Sequence, residues 1–176
     1  MFNGLKEDAR ELRRVLALVE RNPPSTLKMV LAYDSFAVTM LTRGREFARR
    51  VGVLPGVNRL LRSAQRTFYG IEISRDVRLG RGVYFAYPVG VVLGGNSSVG
   101  NRVRFMGSNT LGTTDRDDGY PSLEDDVVLN AGARVLGPVR VGARTVVAAN
   151  AVVVTDLPPD SFASGVPAQV AERTAL

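Results

Sequence analysis

The two residue types that carry most acid–base and metal chemistry in proteins, histidine and cysteine, are both absent from the 176 residues. Their absence removes thiolate nucleophiles, disulfides, the commonest general base and the commonest zinc ligands, so no catalytic transition metal is expected. Chemistry must then come from carboxylates, tyrosine hydroxyls, guanidinium groups and the backbone. Asp115, Asp117 and Asp118 stand close together in TTDRDDGYPS, residues 113–122. Their spacing departs from a calcium-binding EF-hand loop, and the Asp and Gly content reads as a solvated turn. The net charge of +6 is concentrated, because residues 1–70 hold 13 Lys and Arg against 6 Asp and Glu. An arginine-rich, solvated helical surface explains this better than a patch for an acidic partner. Without aromatic interleaving or a recognition motif, nucleic acid is not an expected partner. No apolar run reaches the roughly 20 residues that span a bilayer, and the charged start MFNGLKEDARELRR differs from a signal peptide, so no membrane partner and a cytoplasmic location are expected.

The elements that would position such groups fall into two regions. Leu5, Ala9, Leu12, Leu16 and Val19 repeat at helical spacing until Asn22-Pro23-Pro24 stops the helix. A second helical stretch is predicted from about Leu27 to Arg50, ended by Leu54-Pro55-Gly56. A third, about Asn58 to Tyr69, presents Leu61, Ala64 and Phe68 as its apolar face, and Gly70 closes the helical region.

Beyond Gly70 a period of six replaces the helical period. Leu93, Val99, Phe105 and Leu111, then Leu123, Leu129, Val135, Val141, Val147 and Val153, are all bulky and apolar. Glycine follows at Gly94, Gly100, Gly112 and Gly142, and the fifth place of each hexad is small or β-branched, as at Ser97, Val103, Ala133, Val139, Thr145 and Ala151. A single strand alternates at two and a helix repeats at 3.6, so neither produces one large residue in six. A triangular coil does: three hexads make a turn of eighteen, the large residue fills the prism and the small one turns the corner. The register is interrupted twice, by a two-residue slip over 86–92 and by the loop 113–122. Such departures are where sites are expected.

The order of segments from Gly70 to Val170, namely GIEI, LGRGVYF, GVVLG, NTLGTT, YPSLEDDVVLNAGARVLG and VVVTDLPPDSFASGVPA, resembles the hexapeptide-repeat acyltransferases, and serine O-acetyltransferases in particular. Asp156-Leu157-Pro158-Pro159 with Gly165-Val166-Pro167-Ala168 is the most specific part. The helices are similar to a shortened form of the family's amino-terminal region. The resemblance implies a mainly β fold, a left-handed parallel β-helix over 71–157, preceded by a small α-helical segment over 1–70 and followed by a carboxy-terminal tail over 158–176. It further implies a homotrimer or a dimer of trimers, with acetyl-CoA or another acyl-CoA as donor in the groove between neighbouring prisms.

In that family a histidine in the first interruption deprotonates the acceptor hydroxyl, and a carboxylate fifteen residues earlier orients it. The matching places hold Tyr87 and Glu72. The aspartate before the histidine falls on Ala86, and an Arg-His pair of the second interruption falls on Gly119-Tyr120. Glu72, Tyr87 and Tyr120 are therefore the catalytic candidates. Tyrosine ordinarily ionises near pH 10, which makes it a poor general base but a good hydrogen-bond donor to an acceptor or an oxyanion. Tyr87 and Tyr120 could equally fill the space of the histidines, and Glu72 could serve as the base or face solvent beside Arg75. For the donor, Gly112, Thr113, Ala131, Gly132, Ala149 and Pro167 match the family's cofactor contacts, although corner geometry alone would also select small residues. Two cations of the family fall on Thr155 and Gln169, which leaves Arg134, Arg140 or Arg144 to meet the phosphates. The reading is a CoA-dependent acyltransferase acting on a hydroxyl or amine acceptor other than serine; its rival is a member that lost catalysis and acts as a binding or regulatory partner. An amine relaxes the need for a base, since a neutral amine attacks a thioester unaided.

Overall fold

The computed structural model describes residues 2–17, 34–52, 55–114 and 119–171. Three helices precede the β region: α1 (Phe2–Ala17), α2 (Asp34–Arg50) and α3 (Pro55–Tyr69). Val19, Asn22-Pro23-Pro24 and the predicted start of the second helix near Leu27 lie outside the described residues. The expected break at Pro55 is instead the first residue of α3, three residues before the predicted start. Proline is well suited there, since its missing N–H would have no helical partner and its φ is already helical.

The β region is a coil of short strands stacked into three sheets. The first sheet holds Glu72–Ile73, Val92–Leu93, Thr110–Gly112, Arg134–Leu136 and Val152–Val153. The second holds Arg78–Leu79, Ser98–Val99, Ser122–Leu123 and Arg140–Val141. The third holds Tyr84–Phe85, Arg104–Phe105, Val128–Leu129, Val146–Val147 and Phe162–Gly165, with Ala168–Ala171 added antiparallel at its edge. All other pairings are parallel, and a regular turn takes eighteen residues, as from Val92 to Thr110 and from Arg134 to Val152. The step from Glu72 to Val92 is two longer and the step from Thr110 to Arg134 six longer, which is where the hexad register predicts its interruptions.

Every large residue of the hexad register points inward. Leu93, Phe105, Leu111, Leu129, Val135, Val141, Val147 and Val153 are fully buried, and Val99 and Leu123 nearly so. Each contributes about 1.5–3 kcal/mol by leaving water, which offsets the ordering of its hexad. Phe85 and Phe105 stack with ring centroids 5.1 Å apart. Buried corner residues are paired: Ser97 Oγ donates to the Gly94 carbonyl at 2.7 Å and Thr145 Oγ1 to that of Pro158 at 2.8 Å. The segment expected as a tail from 158 carries two strands of the third sheet, and Ala163 and Ala168 close that end of the core.

The helices cover the opposite end. Val38 of α2 joins the prism core, and Ser35 Oγ donates to the Phe85 carbonyl. The predicted apolar face of α3 is corrected here: Phe68 is 78% exposed, whereas Gln65 is 1% exposed. Gln65 accepts from Arg45 Nη1 at 2.6 Å and donates to Thr42 Oγ1 at 2.7 Å and the Val38 carbonyl at 3.2 Å, so polar bonds rather than apolar contact lock α3 to α2. Arg45 Nη2 reaches the Ile73 carbonyl at 3.1 Å and ties both helices to the first strand. On α1, the buried Asp8 accepts from Arg43 Nε at 3.0 Å and from the Gly82 N–H at 2.6 Å.

Candidate functional site

Each turn of the coil has three corners, and all the predicted site residues except Glu72 and Pro167 sort onto two of them. The third sheet leads into the first through a corner that begins with the two-residue insertion at 86–91. Tyr87 lies there, 70% exposed. Its neighbour in the next turn is Gly107, at φ +122°, where an added Cβ would stand 3.1 Å from Tyr87 Cβ and 3.2 Å from its carbonyl oxygen. Only glycine combines that backbone with that approach. The Gly132 N–H donates to the Gly107 carbonyl at 2.9 Å, and the Asn150 N–H to the Ala131 carbonyl at 2.9 Å. Tyr87, Ala131, Gly132 and Ala149 thus form one column. Pro167 sits at the turn of the hairpin that continues the third sheet past Gly165.

Gly112, Thr113 and Tyr120 belong to the corner between the first and second sheets. The Gly112 carbonyl accepts from the Gly137 N–H at 3.0 Å. The Tyr120 ring packs against the Gly94-Gly95 corner of the preceding turn: a Cβ on Gly94 would be 3.1 Å from Tyr120 Cε1, and one on Gly95, at φ +49°, would clash with the ring at 2.1 Å from Cε2. Both tyrosines therefore rest on glycine backbone. Asp115, Asp117 and Asp118 lie outside the described residues.

Glu72 opens the first sheet, its N–H donating to the Val91 carbonyl at 2.9 Å, which places it beside the Tyr87 loop. Its carboxylate meets Arg62 Nε at 2.7 Å and Arg66 Nε at 3.0 Å, both from α3. The structure thus gives it two guanidinium partners one helical turn apart. The two arginines were legible as an i, i+4 pair, but which carboxylate they meet depends on the tertiary fold. Tyr84, also absent from the sequence-based candidates, stands next to Tyr87. Burial pushes its hydroxyl above the usual tyrosine value, while the bond to Ser35 and the charge of Arg104 pull the other way.

Two of the three arginines considered for phosphate contacts are otherwise engaged. Arg140 bonds Glu124 through Nε at 2.8 Å, and Arg144 forms a two-bond pair with Asp160 at 2.5 Å each. Arg134 follows directly on Ala133 at the corner that carries Ala131 and Gly132, and is the one placed near the predicted donor residues.

No protein-family model matches the sequence. Among curated proteins, the serine acetyltransferase of Synechococcus elongatus is 32% identical over 182 residues, covering all of this chain and 71% of that protein. The chain belongs to the serine acetyltransferase family. Its fold matches the soybean serine acetyltransferase apoenzyme with a TM-score of 0.83 at 30% identity, over 96% of this chain and 68% of that one. A serine acetyltransferase in complex with CoA is matched with a TM-score of 0.83 at 26% identity, over 96% and 68% of the two chains. The parallel β-helix of the family is therefore the scaffold on which Glu72, Tyr87 and Tyr120 are displayed. No described helix is long and apolar enough to cross a membrane.

Proposed function

We propose that the protein is an acyltransferase that takes an acyl group from acyl-CoA, acetyl-CoA first among them, and passes it to a small-molecule acceptor other than serine. The carrying observation is the column of small residues Ala131, Gly132 and Ala149 stacked in line with the exposed Tyr87, on the fold of a family that includes a CoA-bound structure. Small corner residues allow the backbone to approach an extended ligand closely. Gly112, Thr113 and Tyr120 lie on another corner, so a groove using both sets requires a second prism. Exposed Val89, which lies against Gly70, with exposed Phe68 and Tyr87 each two residues along the chain from one of the two, gives such a neighbour apolar surface to bury. A homotrimer or a dimer of trimers, working in the cytoplasm, completes the reading.

Its acceptor preference rests on the chain's own residues. The sequence has no histidine, and the carboxylate of Glu72 is already committed to the guanidinium groups of Arg62 and Arg66, which lowers its availability as a general base. An amine acceptor needs none. Its lone pair attacks the thioester carbonyl, the C–N bond forms, the C–S bond breaks, the surplus amine proton passes to solvent and CoA leaves as the thiol after protonation. In this reading the Tyr87 hydroxyl donates to the oxyanion formed in between. The step uses no metal.

Calorimetry with acetyl-CoA and with CoA is expected to show saturable binding, and silence at millimolar ligand overturns the proposal. Mass spectrometry after incubation with acetyl-CoA and either small primary amines or serine then reads the acceptor; acetylation of serine alone refutes the amine preference. Tyr87→Phe should lower turnover by about 100-fold, the usual worth of one oxyanion donor, while leaving CoA affinity intact.

A further inference from the structure

The corner between the second and third sheets carries no residue of the proposed acyl-transfer site, yet it has a concave, arginine-lined face. Helix α1 crosses it over the first two turns of the coil, leaving a groove of about 540 Å³. One wall is α1, with Glu7, Arg10, Glu11 and Arg14; the other is the prism, with Arg81 and Arg102. We propose that this groove binds a small polyanion, a phosphate ester or polyphosphate, clamped between the arginines of the helix and those of the prism.

The charge arrangement carries the argument. Four guanidinium groups face two carboxylates, and both carboxylates are already taken: Glu7 accepts from Arg81 at 3.2 Å and Glu11 from Arg104 at 2.9 Å. Arg102 uses Nε and Nη2 on Asp126, at 2.7 and 2.6 Å, which leaves Nη1 unspent. Arg14 approaches Glu11 no closer than 3.8 Å, too far for a hydrogen bond. Arg10 has no hydrogen bond or ion pair among the described residues. Arg10 and Arg14 are four residues apart on one helix, a like-charge spacing that costs a few tenths of a kcal/mol unless an anion lies between them. Glu11 offers Arg14 only this long ion pair, so both arginines keep guanidinium N–H groups to give an anion in the groove.

Guanidinium forks match phosphate oxygens two at a time, so the groove favours phosphoryl groups over a single carboxylate. Its volume lies in the range of small-molecule sites and admits two or more phosphoryl groups with a substituent. An occupant would bridge α1 and the prism, adding to the tie that Asp8 makes beneath it. Because that bridge exists only when both walls are in place, the ligand binds the folded state and raises the unfolding temperature.

Inorganic triphosphate is the probe. Titration at low ionic strength, followed by calorimetry and thermal unfolding, is expected to give saturable binding and a rise in Tm with ligand concentration. Arg10→Gln combined with Arg14→Gln should weaken triphosphate by about tenfold or more, the worth of one charge-assisted bond, with helical circular dichroism unchanged. Arg81→Gln, on the opposite wall, tests the clamp independently of α1. Absence of saturable binding at millimolar triphosphate overturns the inference. So does undiminished affinity in both variants, which would place the anion elsewhere, including at the site proposed for acyl-CoA phosphates.

Discussion

Removing the Asp8 carboxylate should detach α1 from the prism. The side chain is 1% exposed and accepts three hydrogen bonds: Arg43 Nε at 3.0 Å, Arg43 Nη2 at 3.4 Å and the Gly82 N–H at 2.6 Å. In Asp8→Ala the Gly82 N–H is left buried without an acceptor, a loss of about 1–3 kcal/mol. Arg43 loses its main counter-charge as well, and breaking a buried ion pair typically costs about 3–5 kcal/mol. These losses overlap, and Arg43 keeps Glu46 and the Leu79 carbonyl, each at 3.1 Å, so the expected total is about 3 kcal/mol, the lower end of the buried-pair range. Asp8→Asn retains an acceptor for Gly82 and should lose roughly half as much. The loss raises the undocked population of α1 about 100-fold, because each 1.4 kcal/mol is a factor of ten. Trypsin under conditions where opening is fast reads that population directly at Arg10, Arg13 and Arg14, and urea unfolding reads the total. A change below about 1 kcal/mol in Asp8→Ala, with tryptic cleavage at the wild-type rate, would refute the assignment of Asp8 as the anchor.

Two further outcomes follow from the coil itself. Phe105→Ala removes one of two stacked, fully buried rings and should cost about 3–5 kcal/mol by denaturant titration, with the turns on either side losing cooperativity. The carboxylates of Glu124, Asp125 and Asp126 all sit below their usual range, held there chiefly by hydrogen bonds from Arg140, Asn101 and Arg102 respectively. A carboxylate depressed in the folded state stabilises it above the unfolded value, near pH 4, and that stability is lost as pH falls through the folded value. Thermal unfolding should therefore be flat from about pH 5 to 8, where no histidine titrates, and fall steeply below pH 4. Asp126→Asn should make that acid slope shallower; an unchanged slope argues against the Arg102 pair.

The coil was legible in the sequence because its rule is local. One large residue in six, with a small one at the turn, states an inward position and a corner without reference to anything distant, and all ten register positions from Leu93 to Val153 are buried. The same locality located both interruptions. The helical segment obeyed no such rule. Phe68 reads as a core residue by spacing, yet it is exposed while Gln65 is buried, because Gln65 finds Arg45, Thr42 and a backbone carbonyl from α2. Those partners are 20 to 27 residues away on α2, beyond any helical window of sequence. The partners of Glu72 are distant in the same way: Arg75 is near it in the chain, whereas Arg62 and Arg66 are brought to it by α3.

The arrangement of the candidate site follows from counting. In a coil of eighteen-residue turns, corrected for insertions of two and six, Tyr87, Gly107, Ala131 and Ala149 occupy equivalent positions in successive turns, as the pairs Tyr84 with Arg104, Arg104 with Val128 and Val128 with Val146 require. Gly94, Gly112 and Leu136 fall in a second such column. Residues in one column share an edge of the prism, and residues in different columns are separated by a whole sheet whose interior is filled by the hexad side chains. Tyr87 and Tyr120 belong to corners at opposite edges of the first sheet. If both tyrosines serve one acceptor, the chemistry is assembled between chains, so dilution to monomer should abolish turnover before it unfolds the coil.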